Sequence, residues 1–353
     1  MDIASGADRV RAHEPVPDLP SGAEPLFPGY VRQLTSTVIL RMALNGALVA
    51  YGVLLAVIAQ RGSVLPYIYL VVFGPTLAVW TYVLSLYLRI RRLFGEPYRR
   101  LDVAPDGLLV KGSRMCARLP DGRWLRTRLV GGSRVQLAGE RRLWVLGSGR
   151  RVFVRLPGAM SVRVARIEDT PLPGATPVEP VSRRPTPPRL DPVLTAQRAF
   201  QVRRTVVSGL TCLVLGAAGF VVVATVPVEP DVILGPAATG GVAGGSGVFV
   251  LLGLLMLAGF LRIRRPVTED VWVELRVALD AAFVPRTRGV ARLTGWALHP
   301  DGRQTRIRLF ADVSLAANVA ATGQLWSLGY PQPGKLNNAG LPGYPCAGTF
   351  RLT

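Results

Sequence analysis

Four stretches of this chain carry no charge over the length an α-helix needs to cross a bilayer, about 20 residues. They lie between Arg41 and Arg61, between Arg61 and Arg89, between Arg204 and Glu229, and between Asp231 and Arg262. Lipid leaves the backbone no outside hydrogen-bond partner, so such stretches are predicted to be helices. Pro75, inside the second, removes a donor and is expected to kink it. The glycine-rich front of the fourth, Gly235 to Gly247, is expected to be a flexible outer loop. Tyr67, Tyr69, Trp80, Tyr82 and Tyr87 supply interfacial anchors, some of them turned toward another helix.

Charge at the flanks predicts orientation. The second stretch ends in Arg89, Arg91, Arg92, Arg99 and Arg100, and the fourth in Arg262, Arg264 and Arg265. The first is entered near Arg32 and Arg41, and the third through Arg198, Arg203 and Arg204. The two short connections hold only Arg61 in one case, and Glu229 and Asp231 in the other. Basic flanks stay on the cytoplasmic side, so the expectation is a multi-pass protein of the inner or plasma membrane with both termini cytosolic. Residues 1–35, of mixed charge and proline-rich, are expected to be a flexible tail without a secretory signal pattern, so that the first span acts as its own insertion signal.

The two polar regions share three blocks in one order. PDGRWLRTRL (120–129), LWVLG (143–147) and LPG (156–158) recur as PDGRQTRIRL (300–309), LWSLG (325–329) and LPG (341–343). Each set follows a helical hairpin, which predicts an internal duplication. Asp-Gly between short runs predicts tight hairpins with both turn residues at positive φ. The remaining runs read as strands anchored by Trp144 and Trp326 in a core. The expected fold is therefore an integral membrane α-helical protein, with four transmembrane helices in two hairpins, plus two small cytosolic β-rich domains of barrel or sandwich type. The expected divisions are a tail (1–35), hairpin (36–92), β domain (95–169), proline-rich linker (170–195), hairpin (203–262) and β domain (267–353).

Chemistry is sparse. His13 lies in the tail, and His299 stands where the other copy has Leu119, a poor position for a catalytic group. Asp121 and Asp301 are accounted for by the turns. Cys116, Cys212 and Cys346 show no metal-ligand spacing. No nucleophile, phosphate loop or carboxylate cluster is visible, so no catalytic, cofactor or metal site is expected. Ser208, Cys212 and Gly216 form a small-xxx-small ridge for helix packing, within a four-helix bundle or as a seam between copies. Asn45 is the other polar side chain singled out within a span.

Of 42 basic residues only Lys111 and Lys335 are lysines. Residues 96–169 hold 16 basic and 7 acidic groups, a net of +9; residues 269–353 hold 9 and 6, a net of +3. The arginines around the spans (Arg89, Arg91, Arg92, Arg99, Arg100, Arg262, Arg264 and Arg265) are expected to contact anionic lipids. Nucleic acid is disfavoured, because no aromatic-basic or recognition-helix pattern accompanies the charge. These features predict a non-enzymatic scaffold that docks a cytosolic protein or anionic headgroups. The alternative is an oligomeric channel or transporter component.

Overall fold

The computed structural model describes residues 10–58, 65–179, 181, 186–225, 235–263, 267–285, 290–298 and 302–353. Helices α1 (Phe27–Ile58) and α2 (Leu65–Arg92) form one antiparallel pair, and α4 (Pro192–Thr225) and α5 (Gly235–Ile263) another. All four are long and apolar enough to cross a membrane. At 1.5 Å per residue the 32 residues of α1 reach about 48 Å, more than the roughly 30 Å of a bilayer's apolar layer. Large apolar side chains point outward along the helices; Val57 is 78% and Val71 71% exposed. Water tolerates such continuous apolar surface poorly.

The hairpins pack as separate pairs, not as the four-helix bundle expected of them. α2 remains helical through Pro75, whose side chain faces outward. The stretch read as a flexible outer loop is helical from Gly235 onward. Close approach to α4 at Ser246 explains its small residues in part. A Cβ on Gly216 would lie 2.6 Å from Val250 Cγ2, and one on Gly219 2.0 Å from Ser246 Oγ.

The first β module comprises β1 (Arg99–Asp102), β2 (Leu108–Lys111), β3 (Arg114–Arg118), β4 (Trp124–Arg128), α3 (Gly132–Glu140), β5 (Arg142–Leu146), β6 (Arg151–Arg155), β7 (Val162–Glu168) and β8 (Thr176–Pro177). The second comprises β9 (Trp272–Leu279), β10 (Val290–Leu298), β11 (Gln304–Asp312), α6 (Val313–Thr322), β12 (Gln324–Leu328), β13 (Leu336–Leu341) and β14 (Tyr344–Leu352). The second is a closed antiparallel barrel, β10-β11-β14-β13-β12-β9. The first runs β1-β5-β6-β7-β4-β3-β2-β8, which is the same neighbour order left open. In the barrel, β9 pairs β12 through residues 272–276 and β10 through residues 276–279. In the open sheet that role is split between β1 on β5 and β2 on β3. The interruption is a turn in which Gly107 N donates to Ala104 O at 3.0 Å, with Pro105 unable to donate to any ladder. Residues of the expected linker cover the open side: β8 pairs β2, and Val178 and Val181 join the first core.

Two local expectations are corrected. The β3–β4 turn does not use two positive-φ residues; only Gly122 is left-handed, at φ +83°, and Gly302 matches it at +84°. Pro120 fixes φ near −65° and favours a three-residue connection with the glycine last. Leu119 N donates to Arg123 O at 2.8 Å and Gly122 N to Leu119 O at 3.0 Å. Each module also contains a helix, α3 or α6, where only strands were expected. Asp312 caps α6 by accepting from Leu315 N at 2.7 Å, and Gly323 ends it at φ +66°.

A side chain at Gly216 has no room, whereas one at Gly244 meets nothing within 4 Å. Gly216→Val should lower stability by about 1–3 kcal/mol through overpacking. Gly244→Ala should be neutral or raise it by up to about 1 kcal/mol from helix propensity. Thermal unfolding in detergent separates the two variants.

Candidate functional site

A buried polar cluster joins residues that stand far apart in the chain and that no local pattern pairs. β6 alternates Val152 and Val154 toward the first module's own core and Phe153 and Arg155 toward the opposite face. Around Phe153 and Arg155 that face is covered by the root of α1, by residues 10–26 and by the second module, while its Arg151 end is exposed. Arg155 is fully buried there. Its Nη1 donates to Glu24 Oε1 and Oε2 at 2.8 and 2.7 Å, and its Nε donates to Ala159 O. The guanidinium also lies 5.6 Å from the Phe27 ring centre and 5.8 Å from that of Tyr98. His13 Nε2 sits 2.8 Å from Glu24 Oε1.

Residues 10–26 are thus a packed strap, not a flexible tail, and α1 takes over at Phe27. Arg11 N donates to Gln324 Oε1 at 3.1 Å and His13 N to Asn318 Oδ1 at 2.6 Å, both in the second module. His13 O accepts from Gly158 N at 2.9 Å, and Glu14 accepts from Arg142 at 2.7 Å, both in the first. Farther along, Ser21 N donates to Glu96 O and Gly22 N to Phe94 O, just beyond α2. The modules also touch directly: Asn318 Nδ2 donates to Gly158 O at 2.7 Å, and Met160 N to Ser314 Oγ at 3.1 Å. One apolar cluster runs from Phe27 and Trp144 through Met160 to Trp326 and the barrel core.

Burial alone would raise the Glu24 carboxyl, but the hydrogen bond from His13 and the charge of Arg155 hold it below its ordinary value of 4.5. Burial pushes up Asp312, beside the buried Cys346, even though backbone N–H groups from Leu315 and Ala347 partly offset it. Burial raises the Cys346 thiol well above its ordinary value and keeps it a poor nucleophile at neutral pH. Among the described residues no group of three or more His, Cys, Asp or Glu could hold a metal ion.

The arginines predicted to meet lipid fall into three groups. Arg89 donates to Arg151 O at 3.2 Å, Arg99 to Gly147 O at 2.6 Å, and Arg100 pairs with Asp102. These three are committed to the protein. Arg91 and Arg92 are exposed at the end of α2. Arg262 lies in the last turn of α5, while Arg264 and Arg265, like His299 and Asp301, lie outside the described residues. Gly216 is in the α4–α5 contact with Ser208 and Cys212 half-buried beside it; other close positions in that contact are Gly209, Gly219 and Gly253. Asn45 donates to Arg41 O within its own helix. Tyr69 packs edge-on against Tyr51 of α1, and Arg41 lies 4.6 Å from the Trp80 ring centre. Trp144 and Trp326 are both buried at matching positions in β5 and β12.

A second feature emerges only from strand register. Arg114 stands opposite Arg128, Arg126 opposite Arg166, and Arg166 opposite Arg151. Opposed residues share a face, so these five lie on one side of four adjacent strands, β3, β4, β7 and β6. Arg126 is answered by Glu168 at 2.6 Å, while Arg114, Arg128, Arg151 and Arg166 are exposed. Like charges placed opposite each other are unfavourable within a sheet. No family model matches this chain, and no curated protein or solved structure matches it.

Arg155→Met strips the partner from a buried carboxylate and should cost about 3–5 kcal/mol, while adding Glu24→Gln should recover part of that loss. Because the Glu24 carboxyl is lower in the folded than in the unfolded chain, its stabilisation is complete above pH 4.5. It is lost as pH falls through the folded value. Melting temperature against pH should therefore drop on the acid side in the native protein and flatten there in Glu24→Gln.

Proposed function

We propose that this chain is a non-enzymatic, multi-pass membrane scaffold built by duplication, holding two β modules on the cytosolic side to dock anionic headgroups or a protein partner. The observation that carries the reading is the row of strand-borne arginines across β3, β4, β7 and β6, mostly unanswered by carboxylates. Within the chain this arrangement is a cost; against an anionic surface each arginine contributes about 1 kcal/mol. Its position also fits. Arg89, at the end of α2, donates to the backbone of Arg151, so one edge of the arginine face is fixed beside the point where the first hairpin ends. Insertion is supported by four long helices with outward apolar side chains, and orientation by arginine at their module-proximal ends. Duplication is supported by the shared strand order, the matching Gly122 and Gly302 turns, and a helix between corresponding strands.

One feature favours an oligomeric channel or transporter component instead. Gly244, Gly245 and Gly247 of α5 have open space where a Cβ would stand, leaving a small-residue surface that a second copy could fill.

Thiols introduced as Ser148→Cys and Tyr330→Cys test sidedness, since both positions are exposed and lie on different modules. A membrane-impermeant maleimide should label neither until the membrane is opened; labelling of intact cells would overturn the topology. In vesicles containing phosphatidylglycerol, a fluorophore at residue 148 should be quenched by headgroup nitroxides. The quenching should weaken with salt and be lost in Arg114→Gln/Arg128→Gln/Arg166→Gln. Quenching indifferent to salt and to these substitutions removes the docking role, and ion flux above empty vesicles favours the channel.

A further inference from the structure

A shallow groove opens where the first hairpin meets its module, lined by Arg32 of α1, by Leu88, Arg91 and Arg92 of α2, and by Phe94. From this site we infer that the chain binds one anionic glycerophospholipid, resting on the reading above that α1 and α2 span the membrane.

The three guanidiniums come from the same end of two antiparallel helices and are all exposed. Their neighbours Arg89, Arg99 and Arg100 are each occupied by a carbonyl or a carboxylate. Arg32, Arg91 and Arg92 have no such partner among the described residues. The site is also braced. Phe94 packs edge-on against Phe27 with ring centres 6.0 Å apart, Gly22 N donates to Phe94 O, and Ser21 Oγ donates to Leu93 O. The strap and the root of α1 therefore fix the groove wall before any ligand arrives, which limits the ordering cost of binding.

Its two chemistries are stacked in the order a phospholipid needs. Leu88 is 41% exposed one turn before Arg91 and Arg92, and other exposed apolar side chains, Leu40 and Leu44 on α1 and Tyr82 and Val79 on α2, lie farther along the two helices, away from the charges. A phosphate seated among the arginines accepts from planar N–H forks suited to its oxygens, while its acyl chains follow the apolar helix faces. Three cations without a nearby answering carboxylate favour a headgroup with net negative charge over a zwitterionic one, whose ammonium they repel.

The full-length protein in detergent is titrated with phosphatidylglycerol or phosphatidylcholine, and lipid per chain is read by native mass spectrometry. The native chain should hold one phosphatidylglycerol in preference to phosphatidylcholine, and excess inorganic phosphate should not displace it. Arg32→Gln/Arg91→Gln/Arg92→Gln should weaken that binding on the order of 100-fold, at about 1 kcal/mol per arginine and about 1.4 kcal/mol per tenfold. Should the triple variant melt early, Arg32→Gln and Arg92→Gln alone carry the test, each with roughly a fivefold loss. The sheet variant Arg114→Gln/Arg128→Gln/Arg166→Gln should retain the lipid. Equal binding of both lipids, displacement by inorganic phosphate, or full retention in the groove variants overturns the site. None of these results bears on sidedness or on the arginine sheet, whose failure would show instead in the labelling and quenching experiments.

Discussion

Arg155 carries its charge at the centre of the molecule with no contact to solvent, and almost everything around it is arranged to make that tolerable. A carboxylate from the strap, a carbonyl from the β6–β7 connection and two aromatic faces surround the guanidinium. Removing the ion from water costs several kcal/mol before any of these is counted, so the pair is poor evidence for stability in itself. What it provides is uniqueness. Only one placement of the strap puts Glu24 on Arg155, His13 on Glu24 and the His13 backbone between Gly158 and Asn318. The relation of hairpin, first module and second module is set at this one site.

The parts legible in the sequence are those governed by local physics. A charge-free run of helical length admits few alternatives, and all four such runs became long apolar helices. The LWxLG blocks became β5 and β12 with both tryptophans inside, since a short, mostly apolar run stopped by glycine reads as a strand buried on both faces. What escaped depends on partners distant in the chain. Glu24 sits among prolines with no periodicity around it, and only Arg155 makes it an interior residue. An arginine in the apolar run VFVRL was the one available hint, since a strand that alternates Val inward places Phe153 and Arg155 together on its other side. The helices α3 and α6 are short and packed on tertiary neighbours, so their weak intrinsic signal was overridden by the strand-like runs on either side. The difference between an open sheet and a closed barrel rested on whether one strand or two fill a gap, and Pro105 with Gly107 marks the break only in hindsight.

Arginine is used in this chain in distinct settings that composition cannot tell apart. Arg155 is structural and buried. Arg89, Arg99 and Arg141 tie loops by donating to backbone carbonyls, so they brace the joint between helix and sheet. Arg114, Arg128, Arg151 and Arg166 on β3, β4, β6 and β7, and the trio at the foot of the first hairpin, are set apart by lacking such partners among the described residues; Arg126, in the same row, is held by Glu168. Exposure and local partners, not the net charge of +20, distinguish the last two from the others.

The strap has a temporal consequence. Its hydrogen bonds to Asn318 and Gln324 join residues more than 300 positions apart, so the N-terminal segment leaves the ribosome long before its seat exists. Glu24 can meet Arg155 early, but the strap's partners on the second module arrive only with α6 and β12, about 300 residues later. The first hairpin and module must therefore wait, partly uncovered, until α6 and β12 have been made. A chain lacking α6 and β12 would leave the strap without Asn318 and Gln324, and the apolar cluster that holds Trp144 and Phe153 without its barrel half, giving cellular quality control a direct mark of incompleteness.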